Sequence, residues 1–172
     1  MGDAVVRQSC AVLLEEYRQR SSTHKGDKGR KGYKLQFTGV GGADVYNITA
    51  PFLDEGEFVI AGRVEARHTE YSQVRFFVER DGSWSPRPGS PVFDLQDPFV
   101  TFIGDELVFG GVEVFPHPTI LNALGWRTRF YRGATIAALE TFAVGPDGMK
   151  DIRLIAMENG KIGVFTRPQG EK

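Results

Sequence analysis

The most regular feature of the chain is a pattern of polar and apolar positions that occurs three times, about fifty residues apart. Each copy starts with a polar residue, continues as an apolar strand, passes through a tight turn and returns as a second apolar strand that ends in charge. The copies start at Asn47, Asp97 and Lys150. Repeats of this length are typical of the blades of a β-propeller, in which the equivalent ends of all blades meet at one axis. The pattern therefore predicts an all-β propeller with a site at its axis.

Alternating apolar residues and glycine-containing turns extend two of the copies to four strands each. The strands predicted for the first blade are Tyr33 to Val40, Val45 to Phe52, Phe58 to Arg67 and Ser72 to Glu79. Those predicted for the second blade are Pro91 to Ile103, Glu106 to Phe115, Arg127 to Tyr131 and Ile136 to Val144. The third copy supplies only its first two strands.

Three repeats are too few to close a ring, because propellers have about four to eight blades. The chain therefore represents part of a propeller, and three explanations are open. It is a truncated piece of a longer protein, or it self-associates so that other copies complete the ring. The third explanation is an open two-bladed structure, whose unprotected strand edges would tend to aggregate.

The first part of the chain has a different pattern. Apolar residues recur at helical spacing over residues 4–20, which predicts an α-helix with Cys10 buried on its apolar face. Residues 24–33 are rich in glycine and basic residues. They form either a solvated connector or a cationic flap near a phosphate. We therefore divide the chain into an N-terminal helix and basic loop, residues 1–32, and a β region, residues 33–172.

The composition narrows the class of protein. A net charge of −1 gives no strong field that would attract nucleic acid or a membrane surface. A single cysteine excludes an internal disulfide. No apolar run approaches the roughly 20 residues that span a bilayer, and the N-terminus lacks a signal-peptide pattern. We expect a cytoplasmic protein that binds neither nucleic acid nor membrane.

The dipeptide Asp97-Pro98 is the sharpest local feature. The aspartate begins an apolar strand, where a buried charge needs a partner. The proline lacks an N–H group and therefore suits the first position of a strand. A turn aspartate that accepts hydrogen bonds from nearby backbone N–H groups is the structural alternative. The repeat favours a functional role, because Asn47 and the Lys150-Asp151 pair hold the equivalent positions and should face the same axis.

Charged residues also occupy the ends of the second strands. Arg63, Glu65 and Arg67 alternate, so they should share one face of a strand. Carboxylates and cations converging on one axis would suit an anionic sugar derivative, since carboxylates bind hydroxyl groups or move a proton and cations hold phosphate. The candidate substrate-binding residues are Asn47, Arg63, Glu65, Glu113 and Asp151, and the candidate phosphate-binding residues are Lys150, Arg153 and Arg167.

Other chemical signatures are missing from the sequence. It contains no phosphate-binding P-loop, no dinucleotide-binding glycine motif and no cluster of zinc ligands. His68 and His117 lie in loop-like contexts without the spacing of metal ligands. Trp84 and Trp126 are expected to end strands, with sugar stacking as the functional alternative. We expect neither a metal nor an organic cofactor.

Five segments carry a resemblance to a known family: Arg63 to Glu65, Asp97 to Gly104, Phe109 to Glu113, Gly145 to Leu154 and Val164 to Gly170. Together they resemble the β-1,2-mannosyltransferase/phosphorylases and their bacterial relatives of unknown function. These proteins are similar to the β-mannoside phosphorylases of the five-bladed glycosidase propellers. The resemblance extends over most of the chain, from about residue 33 to residue 170.

The resemblance implies a five-bladed, glycosidase-like propeller with its site on the axis, of which this chain would supply an incomplete set of blades. Members exchange inorganic phosphate with mannose 1-phosphate on β-mannosides, and some use GDP-mannose as the donor. The catalytic aspartate of the family falls on Asp97. Lys150, Arg153 and Arg167 are the residues onto which its phosphate contacts would map.

A phosphorylase needs only one acid, because phosphate arrives as an anion, whereas a hydrolase needs a second carboxylate to activate water. We therefore expect Asp97 to be the general acid and base of a mannosyl transferase or phosphorylase. Two alternatives remain open. One is a glycoside hydrolase with Glu65, Glu113 or Asp151 as its second carboxylate, and the other is a non-catalytic propeller that binds carbohydrate.

Overall fold

A computed structural model describes residues 9–23, 34–69 and 71–167 of the chain. The chain divides into two compact units, Met1–Lys34 and Leu35–Lys172. Within the described ranges, the first unit contains one α-helix and the second contains eleven β-strands and a short 3-10 helix. The predicted mainly β fold with a single N-terminal helix is confirmed.

The helix, α1, spans Cys10–Thr23 and so continues past its predicted end at residue 20. Its predicted first turns, residues 4–8, lie outside the described residues, as does the basic loop 24–33. The predicted burial of Cys10 is wrong, because its side chain is exposed. Cys10 is the first residue of α1, and its described neighbours Ser9 and Ala11 are exposed as well.

The first sheet is antiparallel, with its longer strands following one another in chain order. Its strands are β1 (Asp44–Tyr46), β2 (Phe52–Asp54), β3 (Glu57–Glu65), β4 (Ser72–Arg80) and β5 (Ser83–Pro86). Both β1 and β2 pair with β3, so together they form one interrupted strand. The strand predicted from Tyr33 to Val40 is wrong over residues 34–40. These residues form only a single bridge, from Phe37 to Trp84 of β5, because the left-handed backbone of Gly39, with φ of 70°, ends the extended segment.

The second sheet contains four antiparallel strands in chain order, and the third is a hairpin of two. The second comprises β6 (Gln96–Ile103), β7 (Glu106–Pro116), β8 (Leu124–Gly133) and β9 (Glu140–Val144), and the third comprises β10 (Arg153–Ala156) and β11 (Ile162–Phe165). The strand predicted from Ile136 is wrong at its start, where Ile136–Ala138 form the 3-10 helix. The Ile136 side chain is 1% exposed, and its N–H bonds to the Asp54 carboxylate instead of a neighbouring strand.

The three sheets pack on one another in chain order. Val74 and Phe76 of the first sheet share a buried cluster with Phe109 of the second. On the other side of the second sheet, Phe99 packs in a cluster with Ile152, which lies just before β10. The second sheet is therefore covered on both faces. This explains why the sequence of β7 is almost continuously apolar, since a strand that is covered on both faces has few solvent-facing positions for polar residues.

Candidate functional site

The three residues that the repeat aligns share an unusual backbone conformation. Asn47, Asp97 and Asp151 have φ angles of 48°, 48° and 60°. This left-handed region is uncommon for residues other than glycine, and asparagine and aspartate tolerate it best. The regular pairing of β6 with β7 shifts between Gln96 and Phe99, around Asp97. Asn47 lies between β1 and β2, Asp97 at the irregularity in β6 and Asp151 two residues before β10, so each lies at a break in regular strand geometry or just before a strand.

These residues meet at one cavity. It has a volume of about 370 Å³ and is lined by Asn47, Ile48, Asp97, Pro98, Asp151, Arg153 and Arg167. Three successive sheet regions contribute to the lining, because Asn47 follows β1, Asp97 lies in β6 and Arg153 begins β10. Five of the predicted site residues thus come together.

The Asp97 carboxylate is held from two directions. Arg63 Nη1 lies 3.1 Å from Asp97 Oδ1, and the amide nitrogen of Asn47 donates a hydrogen bond to the same oxygen. The Asp97 side chain is 20% exposed, so it is mostly shielded but reachable from the cavity. Both contacts engage Oδ1, and the carboxylate is therefore oriented by its neighbours.

Arg63 and Glu65 are residues of β3, and they lie on the side of Asp97 that faces away from the cavity. The Arg63 guanidinium donates through Nε and Nη2 to Glu65 Oε2, with the Nε distance at 2.9 Å. Burial opposes the charge on Arg63, but its hydrogen bonds to Glu65 and Asp97 outweigh this, and the pKa of Arg63 lies above its usual value. Both side chains are nearly buried, at 12% and 14% exposure. They support the Asp97 carboxylate and do not line the cavity.

Tyr46 completes this network, and the sequence analysis missed it. Its hydroxyl donates to Glu65 Oε1 at 2.5 Å, and its ring lies 5.1 Å from the Arg63 guanidinium carbon. Burial and the hydrogen bond to Glu65 raise the pKa of Tyr46 to about 12, so the hydroxyl keeps its proton at neutral pH. Tyr46 directly precedes Asn47 in the sequence and pairs with Arg63 across the sheet. Its position beside two predicted site residues could have identified it.

Two arginines, Arg153 and Arg167, provide positive charge in the cavity. Arg167 Nη1 lies 2.7 Å from Asp151 Oδ2, and Arg153 Nη2 donates to the backbone oxygen of Asp97 at 3.2 Å. Burial lowers the pKa of the Arg153 guanidinium, although the nearby carboxylates of Asp151 and Asp97 act in the opposite direction. The Arg167 side chain is 61% exposed, which leaves most of its guanidinium accessible to an anion.

Two candidate site residues, Lys150 and Glu113, lie elsewhere. Lys150 lines a second cavity with Trp126. Glu113 binds Arg127 and Arg129 at 2.7 and 2.6 Å in the second sheet, and its pKa is lowered because these hydrogen bonds outweigh burial.

The predicted common face of Arg63, Glu65 and Arg67 is wrong at Arg67. Strand β3 ends at Glu65, and beyond it Arg67 pairs with the exposed Asp44 at 2.8 Å.

The arrangement can bind an anion beside a carboxylate that is positioned to exchange a proton. Among the described residues, no group of three or more histidine, cysteine, aspartate or glutamate side chains is arranged to hold a metal ion. Within the same ranges, no helix is both long enough and apolar enough to cross a bilayer. The ionisable groups that line the cavity are the carboxylates of Asp97 and Asp151 and the guanidinium groups of Arg153 and Arg167.

Comparison with known proteins gives a family and several structural relatives. A family profile described as "Protein of unknown function (DUF1861)" matches residues 22–172. None of the curated proteins matches the chain.

Three solved structures are each 35% identical to the chain. MPT-4, a mannose phosphorylase from Leishmania mexicana in complex with a phosphate ion, has a TM-score of 0.76 and is aligned over 93% of this chain and 50% of its own. MPT-1, a GDP-Man-dependent mannosyltransferase from the same organism, has a TM-score of 0.77 and is aligned over 90% of this chain and 49% of its own. A hypothetical protein from Leishmania major has a TM-score of 0.73 and is aligned over 88% of this chain and 50% of its own. The chain thus spans about half the length of these proteins.

Proposed function

The chain belongs to the DUF1861 family, and from this premise and its similarity to mannose-processing enzymes we propose that it forms part of a glycosyl-transfer site for β-mannosides. The reaction is mannosyl transfer or phosphorolysis, with inorganic phosphate or mannose 1-phosphate as co-substrate. Asp97 is the general acid and base. Arg153 and Arg167 bind phosphate, and Asn47 and Asp151 contact the sugar.

The observation that carries this proposal is the content of the cavity at Asp97. An oriented carboxylate and two arginines line the same 370 Å³ space, which is a suitable size for a small ligand. Guanidinium groups bind phosphate oxygens in bidentate fashion. That MPT-4, a mannose phosphorylase, is in complex with a phosphate ion supports phosphate as a co-substrate.

In phosphorolysis, a phosphate oxygen attacks C1 of the mannosyl residue and the bond between C1 and the glycosidic oxygen breaks. Asp97 gives its proton to the departing oxygen, directly or through a sugar hydroxyl. In the synthetic direction, the Asp97 carboxylate takes the proton of the acceptor hydroxyl and phosphate leaves with the bonding electrons. Arg63 and Asn47 hold the carboxylate while the proton moves.

We also propose that the sheets are blades of a five-bladed propeller. Two four-stranded antiparallel sheets in chain order, followed by a hairpin that starts in the same way, support this arrangement. The remaining blades would come from a longer chain or from self-association. Sedimentation analysis of the 172-residue chain separates these sources, since a monomer argues against completion by further copies.

A glycoside hydrolase is the second candidate, and Asp151 is the residue that favours it. Asp151 lines the same cavity as Asp97 and is 19% exposed. Hydrolysis requires a second carboxylate that activates water, and both oxygens of Asp151 instead face arginines, at 3.7 Å for Arg153 and 2.7 Å for Arg167. This pairing makes phosphorolysis the better supported reaction.

Product analysis distinguishes the two reactions. Incubation of the chain with a β-linked mannobiose is expected to give mannose 1-phosphate only when inorganic phosphate is present. Anion exchange chromatography with mass spectrometry measures this product. Free mannose formed at an equal rate without phosphate would show hydrolysis and would contradict the proposal.

Replacing Arg167 with glutamine is expected to weaken phosphate binding about tenfold, because a charge-assisted hydrogen bond contributes about 1.5–3 kcal/mol. Isothermal titration with inorganic phosphate measures the affinity. Arg80→Gln is the control, since Arg80 is similarly exposed at 59% but pairs with Glu57 at a hairpin outside the cavity. Equal affinities in both variants would remove Arg167 from the phosphate site.

A further inference from the structure

A second and larger cavity lies on the chain beside the Asp97 site. Its volume is about 540 Å³, and it is lined by the segment before β6, the ends of β7 and β8 and the residue before Asp151. Gln96 and Lys150 line this cavity, whereas the residues that follow them in the sequence, Asp97 and Asp151, line the Asp97 cavity. The two cavities are therefore neighbours along two separate segments of the backbone.

The walls of the second cavity are largely aromatic and aliphatic. Tyr71, Phe115 and Trp126 contribute rings, and Leu124, at the start of β8, contributes an aliphatic side chain. The Tyr71 side chain is 67% exposed and Leu124 is 57% exposed. Exposed rings in a concave surface are typical of ligand sites, since a buried core position would not leave them open to solvent.

Trp126 is held in place from behind. Its indole N–H donates to the backbone oxygen of Gly148 at 3.0 Å, which fixes the ring orientation. The ammonium of Lys150 lies 6.0 Å from the centre of the Trp126 ring, and no ion pair links Lys150 to another of the described residues. Lys150 therefore has donors available to a ligand in this cavity.

The charges of the lining point to a neutral ligand. Lys150 supplies one positive charge and Asp94 one negative charge, and the other lining residues are uncharged. A diphosphate group would meet the Asp94 carboxylate without a cluster of cations to hold it. A saccharide has no net charge, presents C–H faces to aromatic rings, and has hydroxyls that accept from Lys150 and donate to Asp94.

We propose that this cavity binds the sugar units of a manno-oligosaccharide next to the unit held at Asp97, with Tyr71 and Trp126 as stacking surfaces and Lys150 as a hydroxyl donor. The inference rests on the proposed function, because it takes the Asp97 cavity as the place of reaction. It also assigns to Lys150 a role in binding the saccharide, in place of the phosphate contact expected from the sequence.

The test compares the affinities of the chain for a β-linked mannotriose and for inorganic phosphate by isothermal titration. Tyr71→Ala and Lys150→Met are each expected to weaken mannotriose binding about tenfold, as the loss of one ring or one charge-assisted contact predicts. Phosphate affinity is expected to stay unchanged in both variants. Phe58→Ala is the control, since Phe58 is an equally exposed ring that lies outside the cavity, and thermal unfolding checks that each variant is folded.

Each contrary result has its own meaning. If folded Tyr71→Ala and Lys150→Met bind mannotriose as the unchanged chain does, the saccharide site is overturned while Asp97 chemistry is unaffected. If Lys150→Met weakens phosphate binding as Arg167→Gln does, Lys150 belongs to the phosphate site and the inference is overturned. Competition by GDP that depends on Tyr71 would identify a nucleotide site and would also overturn it. Mannotriose binding that depends on both residues, with no turnover and no phosphate binding, would support the saccharide site and contradict the proposed function.

Discussion

Asp97→Asn is expected to lower turnover about a thousandfold, because a positioned general acid or base contributes roughly 10²–10⁴ to the rate and asparagine cannot exchange the proton. The assay follows phosphate released from mannose 1-phosphate with mannose as the acceptor. The reaction in the opposite direction should fall by a similar factor, since the same group serves both directions.

The Asp97→Asn protein is expected to fold normally. Asparagine tolerates the left-handed backbone at position 97, where φ is 48°. Its side-chain oxygen is able to accept the hydrogen bonds from Arg63 and Asn47 that Asp97 Oδ1 now accepts. A loss of rate with an unchanged unfolding midpoint would therefore report on chemistry.

Asp81→Asn is the matched control for this experiment. Asp81 also has a left-handed backbone, with φ of 51°, but it is exposed in the turn between β4 and β5. The control is expected to keep full turnover. Turnover of Asp97→Asn at the level of this control would remove Asp97 from the proposed mechanism.

Much of the fold could be predicted because its signal is local. Alternating apolar residues and glycine turns identify long strands such as β4 and β7, and the repeat aligns Asn47 with Asp97. The convergence of Asn47 and Asp97 on one cavity was expected from that alignment. The short strand β5 was missed because its four residues carry no alternation that distinguishes them from a loop.

The rest of the site depends on packing that a single sequence does not encode locally. Glu113, like Glu65, stands at the end of the second strand of its repeat, and Lys150 is next to Asp151, yet Glu113 pairs with Arg127 across the sheet and Lys150 turns towards Trp126. Which way each side chain points depends on the neighbouring strand. The repeat therefore indicates where site residues gather, but it does not assign each residue to one of two adjacent cavities.

The buried ion pair of Asp54 and Arg87 is a second contact that the sequence did not reveal. Asp54 is 3% exposed and Arg87 is 12% exposed at their side chains. The Asp54 carboxylate accepts a hydrogen bond from Nη1 of Arg87. It also accepts one from the backbone N–H of Ile136, at 3.0 Å. The hydrogen bond to Asp54 is the main reason that the pKa of Arg87 lies above its usual value. Since Ile136 follows β8, Asp54 joins the first sheet to the second.

Asp54→Ala is expected to lower the free energy of unfolding by about 3–5 kcal/mol, because it leaves the Arg87 charge without its buried partner and the Ile136 N–H without an acceptor. Urea unfolding followed by tryptophan fluorescence measures the change. Asp44→Ala removes the partner of Arg67 from an exposed pair, with side chains 47% and 79% exposed, and should leave the free energy of unfolding nearly unchanged because solvent screens the pair. Equal losses in the two variants would mean that Glu55 and Glu57, which also contact Arg87, compensate for Asp54 and that Asp54 does not join the sheets.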